Sequence, residues 1–155
     1  KEQLYISVLQ QILNTWLEPI RAIDADQTPE SAISHYIRIK VELSRDHVQA
    51  SRLFCLEMIQ GAPLLKEELQ HDLRALVEEK SKVIEGWIAH GSLLPIDPHH
   101  LIYLLWGTTQ HYADFAVQIE AISGRTLADP EFFEATVDNI QRIVLGGLLP
   151  RSKEE

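Results

Sequence analysis

Apolar residues recur at steps of three and four along almost the whole of this chain, and this spacing constrains the fold more than any other feature. Such steps place side chains on one stripe of a helix. Near the start of the chain the stripe consists of Tyr5, Leu9, Ile12, Trp16, Ile20 and Ile23. The strict alternation of apolar and polar residues that is typical of strands is absent from the sequence. The pattern therefore predicts an all-α domain of six or seven helices.

Helix starts are marked by three prolines, each preceded by a residue that suits the N-cap position. These pairs are Thr28-Pro29, Asp97-Pro98 and Asp129-Pro130. A Thr or Asp side chain accepts a backbone N–H of the first turn, and proline at the first helical position lacks an N–H that would have no helical partner. Between these starts we expect a long helix from about Leu64 to His90, and a strongly apolar helix from about Pro98 to Ile122.

Length and charge limit the class of protein. With 155 residues, of which 45% are apolar, the chain can bury one core, so we expect a single domain over residues 1–155. The net charge of -9 argues against nucleic-acid binding by this part of the protein. Neither a secretory signal nor an apolar run of roughly 20 residues is visible, so we expect a cytoplasmic protein without a membrane span. Because the chain begins at Lys1 rather than methionine, we expect it to be a piece of a longer protein.

Catalytic and metal-binding patterns are weak. Cys55 is the single cysteine, which excludes a disulfide scaffold and a four-cysteine zinc site. The seven histidines form no pair at the spacing of four that a helical zinc site uses. His111 and Asp114 could touch across one helical turn, but no nucleophile accompanies them. We therefore predict no metal, no cofactor and no enzymatic activity.

The segment from Tyr103 to Phe115 is the most informative for function, because aromatic and polar side chains interrupt an otherwise apolar helix. Trp106 and Gln110 lie four residues apart, so both face one side of that helix, which Tyr103 shares. An indole ring stacks on a planar molecule, and an amide both donates and accepts hydrogen bonds. The pair therefore predicts a site for a small planar ligand. The alternative is an ordinary core in which Gln110 bonds to a neighbouring helix.

The last helix carries more apolar surface than one small core is expected to cover. Its main stripe consists of Phe133, Val137, Ile140 and Val144. Excess apolar surface of this kind commonly meets its own copy across a two-fold axis. We therefore predict that the stripe forms a dimer interface, to which the preceding helix adds Phe115 and Ile119. The alternative is a helix fully wrapped within a monomer.

Several short strings of the sequence resemble one known family. They are Lys1–Tyr5, Ser51–Cys55, Gly61–Leu64, Leu94–Pro98 and Thr109–Phe115. Together with the order of the helices, they resemble the C-terminal ligand-binding and dimerisation domain of TetR-family transcriptional regulators, over essentially the whole chain. Within that family the strings are most similar to regulators that sense pyrimidine bases.

This resemblance implies a homodimer in which the last two helices pair with their copies as a four-helix bundle. It also implies operator binding through an N-terminal helix-turn-helix domain that this chain lacks. A small-molecule effector such as uracil or thymine would lie between the first helix and the Tyr103–Asp114 segment. The residues expected to contact it are Trp106, Gln110, Trp16, Tyr103 and Tyr112.

The chain departs from the pyrimidine-sensing pattern at one place. That pattern has a lysine shortly before the Tyr36–Arg38 segment, where this chain has Ser34 and His35. If that lysine contacts the effector, the specificity here differs. Two alternatives therefore stay open: an all-α dimerisation module with a different effector, and one with no effector.

Overall fold

The structure, a computed structural model, describes residues 1–151. Residues 152–155, the last part of the domain predicted over residues 1–155, lie outside the described range. Within residues 1–151 the chain forms seven helices and no strand, which confirms the predicted all-α class. In chain order the first three helices are α1 (Glu2–Arg21), α2 (Pro29–Asp46) and α3 (Val48–Ile59). The last three are α5 (Pro98–Asp114), α6 (Ala116–Ser123) and α7 (Pro130–Leu148).

Helix α4 is built from three consecutive pieces. It begins with an α-helical turn, Lys66–Glu68, widens into a π-helical turn over Leu69–Leu73, and continues as an α-helix over Arg74–Ala89. The prediction of one long helix was correct in extent, but it did not include the π turn. Such turns accommodate an extra residue and often occur near functional sites.

The predicted N-caps are confirmed. The hydroxyl oxygen of Thr28 accepts the backbone N–H of Ser31 at 3.2 Å, at the start of α2. The carboxylate of Asp97 accepts the N–H of His99 at 2.8 Å at the start of α5, and Asp129 caps α7 in the same way. These bonds satisfy N–H groups that have no partner within the helix.

The prediction of one helix from about Pro98 to Ile122 was wrong. Helix α5 ends at Asp114, and Phe115 leaves the helical conformation with φ -116° and ψ 29° before α6 begins. Neither glycine nor proline stands at this break, so the local sequence carries no signal for it. A tertiary contact accompanies it, because the Ser51 hydroxyl on α3 donates to the Asp114 carboxylate at 2.5 Å.

Helix α2 lies at the centre of the domain and packs against α1, α3, α5 and α7. Its buried Ser44 donates to the backbone oxygen of Thr109 at 2.8 Å, which ties α2 to α5. Arg38 pairs with Glu134 of α7 through two hydrogen bonds of 3.1 and 2.7 Å. Both of these charged side chains are well exposed, so the pair contributes only about 0–1 kcal/mol, and the apolar core does most to hold α7 in place.

The stripe of α7 that was predicted to form a dimer interface is instead part of this core. Within a single chain its members Phe133, Val137, Ile140 and Val144 are all buried. Helix α2 covers most of this stripe within the chain, although Ile140 also lines a surface depression between α5 and α7. Of the two residues assigned to the preceding helix, Phe115 is exposed and Ile119 is half-buried. Within residues 1–151, every helix is too short or too polar to span a bilayer.

Candidate ligand-binding cavity

A cavity of about 340 Å³ lies where α1, α2, α3, α4 and α5 meet. Small-molecule sites in proteins have volumes of about 300–1,000 Å³. Polar groups in its wall come from Lys40, Cys55, Gln110 and Asp114. The apolar lining consists of Leu13, Trp16, Leu17, Phe54, Met58, Leu69, Leu73 and Trp106. The two leucines of the π turn in α4 thus belong to the cavity wall.

Three of the five residues predicted to bind a ligand meet in this cavity. Trp16 comes from α1, while Trp106 and Gln110 come from α5, where their spacing of four places both on the cavity side. The Trp16 Nε1 group is buried and has no hydrogen-bond partner within residues 1–151. No hydrogen bond joins the Gln110 amide to another described residue, so the alternative in which it serves as an ordinary core contact has no support.

Tyr103 and Tyr112 lie outside the cavity, so the structure does not place them with the other three. Tyr103 is 52% exposed, one turn before Trp106, where its ring lies 6.0 Å from that of His100. Tyr112 is on another side of α5 and packs toward Phe132 of α7. Both tyrosines border a shallow surface depression, the α5–α7 groove, which is lined by His100, Tyr103, Leu104, Gly107, Thr108, His111, Tyr112, Ile140 and Ile143.

Lys40 is the cavity residue that the sequence reasoning missed. It is 1% exposed, and its Nζ lies 3.9 Å from the centre of the Trp16 ring. Among the described residues, no hydrogen-bond acceptor or carboxylate is within bonding distance of this ammonium group. A signal for it existed, because Lys40 falls on the buried stripe of α2, between Ile37 and Val41. A buried lysine is costly to desolvate, so it is usually paired with an acceptor or has a functional role.

Burial controls the protonation of the polar groups in the cavity. It lowers the pKa of Lys40 to about 7, and the negative charge of Asp114 on α5 opposes this shift. Burial also raises the pKa of Asp114, although the hydrogen bond from Ser51 works against this. The pKa of the Cys55 thiol on α3 is raised by burial and by the nearby Asp114. The walls from α1 and α4 add no titratable side chain to the lining.

His111 and Asp114, the pair considered for acid–base catalysis, do not contact each other through a hydrogen bond in the described residues. His111 is exposed and stacks on Phe115, with ring centroids 4.9 Å apart. Asp114 faces the cavity and accepts from Ser51, and no hydrogen bond between His111 and Asp114 exists within the described part of the chain. Residues 1–151 contain no group of three or more His, Cys, Asp or Glu side chains that could hold a metal ion.

Ser34, where the chain differs from the pyrimidine-sensing pattern, does not line the cavity. The backbone oxygen of Ser34 accepts the Gln141 amide at 2.8 Å, which places this residue beside α7. Lys40, on the same helix, supplies the cavity with a positive group instead. A lysine is therefore present at the site although Ser34 and His35 stand where the pattern has one.

The sequence of this domain is similar to those of known proteins. Residues 9–151 match a family of TetR C-terminal domains that is described as the C-terminal region of YcdC-like proteins. Over 151 residues the chain is 58% identical to the HTH-type transcriptional regulator RutR of Escherichia coli strain K12, covering 97% of this chain and 71% of the relative. It is equally similar to proteins of that name from Shigella flexneri and from E. coli O157:H7.

Proposed function

Because this chain belongs to the TetR family of transcriptional regulators, we propose that it is the effector-sensing and dimerisation domain of such a regulator. Its effector is a small planar pyrimidine, such as uracil or thymine, bound in the cavity between α1 and α5. The observation that carries this proposal is the meeting of two indole rings, an unpaired amide and a buried ammonium group, from Trp16, Trp106, Gln110 and Lys40. The name shared by the relatives, an HTH-type transcriptional regulator, supports it.

The chemistry of a pyrimidine base matches these groups. Its flat ring offers a π-face on which an indole can stack, and its edge alternates carbonyl oxygens with N–H groups. The Gln110 amide can donate to a carbonyl and accept from an adjacent N–H, so its donor and acceptor match the alternating groups on the edge of the base. The apolar remainder of the wall excludes water and strengthens these polar contacts.

Operator binding would be altered by a population shift. A ligand in the cavity contacts α1 through Trp16 and α5 through Trp106, so it favours the arrangement of these helices that closes around it. Operator half-sites lie about 34–36 Å apart, so a small rotation of α1, which leads toward a DNA-reading domain, changes the fit to DNA. A protein with this role acts in the cytoplasm.

Dimerisation would use the α5–α7 groove, to which the stripe of α7 contributes Ile140. Ile143 on the outer side of α7 is 75% exposed, and Leu104 and Tyr103 on α5 are also well exposed. Gly107 lies between them with open space where a Cβ would stand, so a partner helix can approach closely. Two copies of this groove form the four-helix bundle that the family resemblance implies.

Calorimetric titration with uracil and thymine tests the effector proposal. The protein should bind at least one of them, and Trp106→Ala should weaken binding by more than tenfold because it removes a stacking surface. Tyr5→Ala is the control: it removes an exposed aromatic ring of α1 that lines neither the cavity nor the α5–α7 groove, so affinity should stay within twofold. Absence of binding by the unmodified protein, or equal binding by it and by Trp106→Ala, contradicts the proposal.

Sedimentation velocity tests the dimer. Ile143→Glu places a charge in the α5–α7 groove and should convert the dimer to monomer at micromolar concentrations. Ile59→Glu is the matched control, because Ile59 on α3 is 76% exposed and lies away from the groove. If both variants stay dimeric, the groove is not the interface.

A further inference from the structure

We propose that Lys40 is the specificity-determining residue of the cavity, because its ammonium group requires a carbonyl oxygen on the ligand. The cavity then accepts 2,4-dioxopyrimidines, which present such an oxygen at C4, and disfavours cytosine, which has an amino group at C4. If cytosine turned to present its C2 oxygen to Lys40, its amino group would point elsewhere in a mostly apolar wall. This inference rests on the proposed function and deepens it by naming the group that selects among pyrimidines.

The hydrogen-bond inventory of the cavity points to a ligand rich in acceptors. A lysine ammonium carries three N–H donors and no acceptor, and Lys40 has no acceptor within the described residues. The Trp16 Nε1 group is a second buried donor without a partner. Asp114, the carboxylate of the cavity, already accepts from the Ser51 hydroxyl at 2.5 Å. The protein thus leaves donors unpaired, and a carbonyl oxygen is the group that completes them.

The contact between Lys40 and Trp16 does not replace that missing acceptor. The ammonium lies 3.9 Å from the centre of the indole ring, which is a favourable cation–π position. A ring face attracts the charge but accepts no conventional N–H hydrogen bond, so the desolvated N–H groups stay unpaired. Burial accordingly lowers the pKa of Lys40 to about 7, despite the opposing charge of Asp114.

The charge balance of the cavity favours a neutral ligand over an anion. Lys40 is the one cationic side chain in the lining, and Asp114 brings a carboxylate into the same space. The rest of the wall is apolar apart from Cys55 and Gln110. An added carboxylate or phosphate would meet repulsion from Asp114, and its charge would be desolvated by a wall that is otherwise mostly apolar. A neutral ring with polarised carbonyl oxygens avoids both penalties.

An amino group at the position of the oxygen is strongly disfavoured. It would direct donors at an ammonium that has only donors, so both would stay unpaired in a buried space. Sites built to hydrogen-bond one group discriminate strongly against ligands that lack it. We therefore expect the protein to bind uracil at least about 100-fold more tightly than cytosine.

The first experiment compares the affinities of uracil and cytosine by calorimetry at about pH 6, where Lys40 is in its ammonium form because its pKa is about 7. In Lys40→Met, which keeps the length of the side chain but removes the charge and the donors, uracil affinity should fall by more than tenfold. Cytosine affinity should change by less than threefold, so the preference collapses. Lys82→Met is the matched control, because Lys82 is exposed on α4 and should leave both affinities unchanged.

A second readout follows the proton on Lys40. At pH 8 most Lys40 side chains in the free protein are neutral, and a carbonyl acceptor restores the ammonium form. Titrations in two buffers of different ionisation enthalpy should show uptake of about one proton per uracil, and none in Lys40→Met. The other titratable groups facing Lys40, Asp114 and Cys55, remain in the variant. A lysine with a purely structural role would give equal proton uptake in both proteins.

The outcomes separate this inference from the function on which it rests. If the protein binds uracil but binds cytosine equally well, or if Lys40→Met keeps the preference, the role of Lys40 is overturned while the effector proposal stands. Tight binding of orotate, which is uracil with a carboxylate, overturns the preference for a neutral ligand. If neither uracil nor thymine binds, the effector proposal fails and takes this inference with it. The uracil-to-cytosine ratio of the unmodified protein needs no variant, and thermal melting checks that each variant folds.

Discussion

Two lysines within residues 1–151 are buried, and they differ in whether their ammonium groups find hydrogen-bond acceptors. Lys80 of α4 is 6% exposed, and its Nζ donates to the backbone oxygens of Arg21 at 3.0 Å and of Ile23 at 2.8 Å. These carbonyls lie at and just after the end of α1, where helices leave acceptors without partners and where positive charge is favourable. Lys40 of α2 is buried more completely, faces the cavity, and has no such acceptor.

The difference teaches that burial of a charge does not by itself mark a functional site. Lys80 completes the hydrogen bonding of its surroundings, so its role is to hold the end of α1 against α4. Its contact with Glu79 at 3.3 Å adds little, because the Glu79 carboxylate is largely in solvent. Lys40 leaves its own donors incomplete, which costs stability unless a ligand supplies the acceptor. Unsatisfied burial is therefore the property that points to binding.

The largest effect should come from Lys80→Met. It leaves the buried carbonyl of Ile23 and the partly buried carbonyl of Arg21 without this donor. A buried unsatisfied group costs about 1–3 kcal/mol, so the free energy of unfolding should fall by roughly 3 kcal/mol. Urea denaturation measures this. Uracil affinity should stay unchanged, because Lys80 lies outside the cavity. A loss of affinity with little loss of stability would reverse the assignment of the two lysines.

The next effect concerns pH. Because the pKa of Lys40 is lowered from 10.5 to about 7 in the folded protein, the unfolded chain binds more protons between these two values. The free energy of unfolding therefore rises with pH in this window, by about 2 kcal/mol from pH 7 to pH 9, and the slope fades to zero about one pH unit below the folded pKa. Denaturation curves of the protein and of Lys40→Met isolate this contribution. Equal slopes in the two proteins would mean that Lys40 is not desolvated.

The smallest effect should come from Asp114→Asn. The amide keeps an acceptor for the Ser51 hydroxyl but removes the negative charge that supports protonation of Lys40. The pKa of Lys40 should fall further, by up to about one unit, so the rise of stability should begin at a lower pH. Nitrogen-detected NMR of the lysine side chains follows this titration directly. A rise in the pKa of Lys40 would show that Asp114 acts on it in another way.

Much of the local structure follows from nearest neighbours in sequence. The caps at Thr28, Asp97 and Asp129 were predictable because a side-chain oxygen and a following proline act within a single turn. The pairing of Trp106 with Gln110 on the cavity side was predictable for a similar reason, since a spacing of four sets a common helix face whatever surrounds it. None of these features depends on which helix lies opposite.

Other features depend on which helix lies opposite, and the sequence alone did not reveal them. Tyr103 shares the helix side of Trp106, yet it is 52% exposed and lines the α5–α7 groove instead of the cavity. The break after Asp114 has no local signal and coincides with the contact from Ser51 on another helix. Lys40 has the spacing of a core residue on α2, and only the positions of α1 and α5 show that it faces an empty space.

The sequence by itself determined that this chain is helical, where most of its helices begin and which residues share each helix face, because these properties arise within one or two turns. The tertiary structure alone decided which face became the core and which a cavity. The apolar stripe of α7 illustrates this: its members Phe133, Val137, Ile140 and Val144 are equally suited to a partner's helix or to the chain's own α2. The hydrophobic effect is non-directional, so the stripe is buried equally well by any apolar surface. Only the packing of distant segments decides which surface it contacts.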